Sequence, residues 1–173
     1  MNSEMFYLFT AVCVINHIIW FLYEILKHKK ILEPTKLSFV IIFINMGLLW
    51  TSWFALCSLD LYRMNLPGII KYLGVLIVGI GIIVFFIALF TIKTLESYQG
   101  DLITKGIYSK IRHPMYLAFI LWLIGFPIFF GALFSFILSF VFIANILFWR
   151  YLEEKELEKR FLSYMDYKKT TIF

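Results

Sequence analysis

The feature that most restricts this chain is the recurrence of apolar runs long enough to cross a lipid bilayer. Segments 5–26, 37–59, 69–92, 114–130 and 132–149 are almost wholly apolar, and short polar stretches separate them. A hydrocarbon core of about 30 Å is crossed by ~20 helical residues, so runs of roughly 18 or more residues with few charges read as transmembrane helices. Composition agrees: 62% of residues are apolar and only 16% charged, whereas a soluble domain has ~45–50% and ~25%. The reading is an all-α polytopic membrane protein of about five transmembrane helices, with residues 1–173 forming a single integral membrane domain.

The first run is longer than the ~7–15 residues of a signal-peptide core, no basic segment precedes it and no small-residue cleavage site follows, so it reads as a retained span. Gly74, Gly79 and Gly81 lie on the third span, where small residues let helices approach closely. Pro127 and Gly131 predict a tight hairpin between spans four and five. A single kinked helix would run to roughly 50 Å, well past the bilayer. Cys13 and Cys57 lie inside spans without a CxxC pattern and read as small hydrophobes. The histidines His17, His28 and His113 are scattered, so no metal site is expected, and no glycine-rich loop follows a strand, which excludes a soluble-type nucleotide fold.

Loop charge sets an orientation. Lys27, Lys29, Lys30, Lys36, Lys93, Lys105, Lys110, Arg112 and every basic residue from Arg150 onward fall on one side of a five-span arrangement, against Arg63 and Lys71 on the other. Basic loops face the cytoplasm, which puts the N-terminus outside and the C-terminus inside. The net charge of +5 is then explained by anionic lipid rather than by nucleic acid.

Two polar segments share that cytoplasmic side. One, "KTLESYQGDLITKGIYSKIRH" (93–113, closed by Pro114), precedes the fourth span; the other, "RYLEEKELEKRFLSYMDYKKT" (150–170), follows the fifth and predicts an amphipathic helix with Leu152, Leu157 and Phe161 on its apolar side. The hairpin places their ends side by side, so Tyr108, Arg112 and His113 should lie near Arg150, Glu153 and Glu154. Pro114 suits the first position of a helix and His113 its N-cap. The helix start, with Tyr116 on its first turn, offers free backbone donors and a positive dipole end to an anion.

The ordered pattern "GIYSKIRHPMY", a helical hairpin, then "RYLEEKELEKRFLSYMDYKK" resembles the isoprenylcysteine carboxyl methyltransferase family and its prokaryotic membrane methyltransferase relatives. The resemblance spans Asp101 to about Lys169. It implies methyl transfer from S-adenosylmethionine to a lipophilic acceptor, most simply an isoprenylcysteine-type carboxylate. It implies that residues 93–173 form the cofactor-binding catalytic part, with Leu102, Ile103, Tyr108, His113, Pro114, Met115 and Tyr116 lining the cofactor pocket. Glu153 or Glu154 would close that pocket, and Arg150 would face the acceptor carboxylate; these three are the candidate catalytic residues. Gly100 stands where many relatives carry a histidine.

Other acceptors fit the same frame: a phospholipid, a thiol or an isoprenoid. A second enzyme reading is a nicotinamide-dependent reductase of the sterol or isoprenoid type. A third is a transporter or scaffold, for which Asn16, His17, Asn45 and Asn145 are the only mid-membrane polar candidates; they read as helix–helix contacts. The expected partners are a lipophilic or lipidated substrate and membrane lipids, and nothing in the residues indicates an oligomeric state.

Overall fold

The computed structural model describes residues 2–32, 35–92 and 102–173. Among the described residues it is helical throughout: α1 (Asn2–His28), α2 (Lys36–Leu59), α3 (Gly68–Ile92), α4 (Pro114–Phe130), α5 (Leu133–Arg160) and α6 (Tyr164–Thr170). Four of these, α1, α2, α3 and α5, are long and apolar enough to cross a membrane, and α4 is a shorter apolar helix of 17 residues. Pro34, Lys93, Gly100 and Asp101 lie outside the described residues.

Local chemistry sets the helix limits. Thr35 caps α2 reciprocally with Ser38: the Ser38 amide donates to Thr35 Oγ1 at 3.1 Å, and the Thr35 amide donates to Ser38 Oγ at 2.8 Å. Pro114 opens α4 with His113 as N-cap. Gly131 closes α4 in the left-handed region (φ 63°, ψ 38°), and its neighbour Ala132 donates back to the Pro127 carbonyl at 2.8 Å. A side chain at Gly131 would also strike the Met64 carbonyl, 2.8 Å from the position of a Cβ.

The charged tail does not begin a new helix. α5 runs unbroken through Arg150 to Arg160, because no glycine or proline interrupts "FWRYLEEKELEKR" and most of its residues favour helix. The onset of charge at Arg150 marks the exit from lipid, not a break in backbone. At 28 residues the helix is about 42 Å long and overshoots a ~30 Å hydrocarbon core. Helix α4, about 25 Å long, falls short of it. Its N-terminus is therefore recessed behind the protruding end of α5.

α3 lies against α4 through glycines. A Cβ at Gly74 would sit 2.5 Å from the Phe129 amide and 2.8 Å from the Gly125 carbonyl, and one at Gly81 would meet the Trp122 ring at 2.7 Å. Gly79 differs from the expectation: nothing lies within 4 Å of its Cβ position, so it does not serve the contact. Its position places it on the open face of α3, away from α4.

The core joins α1, α2, α4 and α5 around Trp53, Leu56, Leu123 and Ile146, all fully buried. Polar groups within it are matched between helices: Asn45 donates to the Asn16 carbonyl at 3.2 Å, and the His17 ring stacks on Phe142 at 3.5 Å. At the end away from the charged tail, Asp60 accepts from the Ser135 amide and hydroxyl, both at 2.8 Å. Arg63 donates to the Phe130 carbonyl at 3.0 Å, and the Met64 amide to Gly131 at 2.7 Å. This end is pinned by the α4–α5 turn, and the opposite end opens into the site.

Gly74→Ala is expected to lower stability by about 1–3 kcal/mol, because helix backbone must move to admit one methyl. Gly79→Ala should change it by less than about 0.5 kcal/mol. A thiol-reactive dye checks both by thermal unfolding in detergent, since Cys13 and Cys57 are free and buried in the folded chain.

Candidate active site

The loop before α4 is shaped by a short 3-10 turn at Gly106–Ser109, entered through Gly106 at φ 60°, and the turn buries Tyr108. The chain then runs beside its own C-terminal residues. The Ile172 amide donates to the Lys110 carbonyl at 2.9 Å, the Arg112 amide to Ile172 at 3.1 Å and the His113 amide to Phe173 at 3.3 Å. The backbone amides of Arg112 and His113, just ahead of α4, are thus taken by carbonyls of the tail.

Side chains complete this junction around Glu154. Lys168 Nζ lies 2.7 Å from Glu154 Oε2, and Arg112 Nε and His113 Nε2 each lie 3.4 Å from Oε1. The Glu154 side chain is only 9% exposed, so its charge is balanced by those three groups rather than by water. Arg112 also donates through Nη1 to the carbonyls of Thr171 at 2.5 Å and Lys168 at 3.1 Å. Tyr167 donates its hydroxyl to the Tyr108 carbonyl at 2.5 Å. The loop before α4, the end of α5 and the tail after it are therefore one structure, as the hairpin geometry requires.

His113 is the hinge between this junction and an adjoining cavity. Its Nδ1 faces Glu153 Oε2 at 3.6 Å while Nε2 faces Glu154. Burial alone would lower its pKa, but the two carboxylates outweigh burial and hold it above the ordinary histidine value.

The cavity has a volume of about 290 Å³, at the lower edge of the range for small-molecule sites, ~300–1,000 Å³. Of the residues singled out from sequence, Leu102, Ile103, Tyr108, His113, Met115, Tyr116 and Glu153 line it. Pro114 is fully buried and does not. Glu154 stands behind the wall. Arg150 is also off the wall, with its guanidinium 4.8 Å from the Phe173 ring centre and Nε 4.0 Å from Glu154. Sequence reasoning missed the contribution of α1 and α2: Trp20, Glu24, Lys27, Ile42 and Met46 form the facing wall. One signal was available, since Glu24 is an ionisable residue within an otherwise apolar run.

Comparison with known proteins bears on the same region. The model of the family described as "phospholipid methyltransferase" matches residues 69–163. The match runs from α3 to the edge of α6 and takes in the first half of the motif whole and the second as far as Ser163. The chain belongs to the phospholipid methyltransferase family. Members of this family are membrane methyltransferases of the isoprenylcysteine carboxyl methyltransferase-like kind. This chain is accordingly an integral membrane methyltransferase, and the reductase and transporter readings are set aside. No curated protein and no solved structure matches it.

In this methyltransferase two buried hydroxyls on the cavity wall, Tyr108 Oη and Tyr164 Oη, have no protein partner. Burial first, and the nearby glutamate charges second, push both phenol pKa values up. Both remain neutral O–H groups at any physiological pH, free to bond a ligand. Glu153 and Glu156 bring negative charge to the same cavity and Arg112 brings positive charge. No group of His, Cys, Asp and Glu suited to a metal occurs among the described residues.

Two outcomes follow for this junction. Glu154→Ala leaves Arg112 buried opposite no carboxylate and His113 with Glu153 alone, and should destabilise the methyltransferase by about 3 kcal/mol, measurable as a lowered unfolding temperature. His113 has a raised folded pKa, so the stability from its charged form is fully present below the unfolded value of about 6.5 and is lost as pH rises through the folded value. The stability advantage of the wild type over His113→Gln should therefore be largest near pH 6 and shrink towards pH 9.

Proposed function

We propose that this methyltransferase moves a methyl group from S-adenosylmethionine to the headgroup of a membrane phospholipid, at the cytoplasmic face of the bilayer. The observation that carries this reading is the two-sided cavity. Its polar wall bears Tyr108, Arg112, His113, Glu153 and Glu156, and its apolar wall bears Trp20, Ile42, Met46, Ile92 and Phe119. Phe43 lines the cavity and is also 52% exposed on the lipid side of α2. A water-soluble methyl donor and a lipid-dissolved acceptor can meet only in a chamber open to both phases.

The residues suit the donor. S-adenosylmethionine carries a sulfonium, an ammonium and a carboxylate, and it supplies an electrophilic methyl group when bound. Glu153 and Glu156 would hold its positive charges, Arg112 its carboxylate, and the unpartnered hydroxyls of Tyr108 and Tyr164 its remaining polar groups. Leu102, Ile103, Met115 and Tyr116 would enclose it. These residues bind and orient; alignment alone supplies ~7–11 kcal/mol of barrier reduction in a two-reactant displacement. Phe119 and Trp20 exclude water from the space where the acceptor would lie.

The acceptor reading follows the family and the position of Arg150. Arg150, the residue expected to face a prenylcysteine carboxylate, is instead turned to Glu154 and Phe173. The cytoplasmic assignment rests on loop charge, which gathers Lys27, Lys105, Lys110, Arg150 and Lys168 at the cavity end of the helices.

Calorimetry with S-adenosylmethionine tests the site. The wild type should bind, and Tyr108→Phe and Tyr164→Phe should each weaken binding by about 3- to 10-fold, the worth of one hydrogen bond. Incubation with labelled donor and a membrane lipid extract should place label in phospholipid. Absence of donor binding, or label confined to a prenylcysteine analogue, would contradict the reading.

A further inference from the structure

The last turn of α1 carries a pair of opposite charges that the donor site leaves unused. Glu24 and Lys27 both line the cavity. Lys27 Nζ lies 3.6 Å from Glu24 Oε2, and Trp20 Nε1 donates to Glu24 Oε1 at 3.3 Å. Both side chains are largely shielded, 28% and 21% exposed respectively. Across the cavity stand Glu153, held by His113 and Tyr116, and Tyr116 itself. The wall of α1 thus presents one negative and one positive group, a single helical turn apart, to the cavity.

Resting on the reading of this cavity as a phospholipid methylation site, we propose that Glu24 and Lys27 form the acceptor subsite for a zwitterionic aminoalkyl-phosphate headgroup. Lys27 takes the phosphate and Glu24 takes the ammonium. A headgroup in which two carbons separate phosphate from amine has the same alternation of charge as the pair it replaces. The exchange leaves no buried charge unpaired: each member of the Glu24–Lys27 pair trades its partner for a headgroup atom of the same sign. Glu153 is less suited to the task, since His113 and Tyr116 already engage it.

Glu24 has a chemical as well as a positioning part. An alkylammonium has a pKa near ~10, so the headgroup arrives protonated and without a nucleophilic lone pair. One N–H bond breaks and its proton passes to the Glu24 carboxylate. The nitrogen lone pair then forms the bond to the methyl carbon, and the electron pair of the breaking carbon–sulfur bond stays on sulfur, leaving a neutral thioether and a methylated ammonium. Trp20 holds one carboxylate oxygen in place and leaves the other to accept.

The test uses the full chain in nanodiscs, with phosphatidylethanolamine as acceptor, labelled S-adenosylmethionine as donor, and binding of a short-chain phosphatidylethanolamine measured separately by calorimetry. Glu24→Gln should lower kcat by about 100-fold or more, as expected for loss of a general base, with donor affinity unchanged within about twofold, and should abolish the acid limb of the pH–rate profile. Glu24→Asp keeps the charge and should retain measurable turnover. Lys27→Met should weaken binding of the short-chain lipid about 10-fold, the effect of ~1.4 kcal/mol, while leaving donor affinity intact. Turnover that survives Glu24→Gln overturns this assignment alone. Equal loss of donor binding in the Gln and Asp variants marks Glu24 as structural and overturns it as well. Failure of the wild type to bind donor removes the underlying reading of the cavity and this subsite with it.

Discussion

A buried carboxylate needs compensating charge, and Glu154 draws it from three groups in two other parts of the chain. Arg112 and His113 come from the loop before α4, and Lys168 comes from α6. None of these groups would be tolerated in a low-dielectric setting without the others, since an unpaired buried charge costs several kcal/mol. The cavity inherits its shape from this mutual requirement. Arg112 fixes the tail through two carbonyls, and the tail fixes the backbone of residues 110–113 in return. Tyr108 and His113 are held on the wall as a consequence. Glu154 is therefore a positioning residue. Its neighbour Glu153, one position along the same helix and turned some 100° about its axis, faces the ligand space.

The remainder of the architecture keeps that junction at one end of the bundle. Asp60, Arg63 and Gly131 lock the far end of the α4–α5 hairpin. The glycine contact between α3 and α4 keeps the end of α3 beside the turn before α4, where Gly106 lies against Thr91. Because α4 is short and α5 long, the paired ends are staggered. The recess left by α4 is closed from the other side by α1 and α2, which the family match does not reach, since it begins at residue 69. Eight of the 25 residues that line the cavity thus come from the part of the chain that carries no family motif.

Long apolar runs made the helices readable, and the Pro114 start and Gly131 stop of α4 were readable for the same local reasons that operate in the structure. The meeting of Tyr108, Arg112 and His113 with Glu153 and Glu154 followed from one hairpin. The parts that escaped were those in which tertiary context decides. The end of α5 was masked by a change in polarity that leaves the backbone indifferent. Gly79 carries the same residue type as Gly74 but faces away from α4, and side-chain direction around a helix is not visible from identity alone. Arg150 has the right spacing to reach the cavity, yet a phenyl ring and Glu154 hold it outside. Glu24 and Lys27 lacked any motif, although a charged pair ending an apolar span is itself a departure from what lipid favours.

The unbroken course of α5 has one more consequence. A single rigid rod from Leu133 to Arg160 has no joint at which its membrane half and its cavity-lining half can move separately. A bilayer thinner or thicker than the rod's apolar length is accommodated by tilt, and any tilt carries Glu153 and Glu154 with it. The height of the carboxylates relative to the headgroup layer is consequently a function of lipid chain length, so that acyl composition tunes how deep this end of the cavity sits.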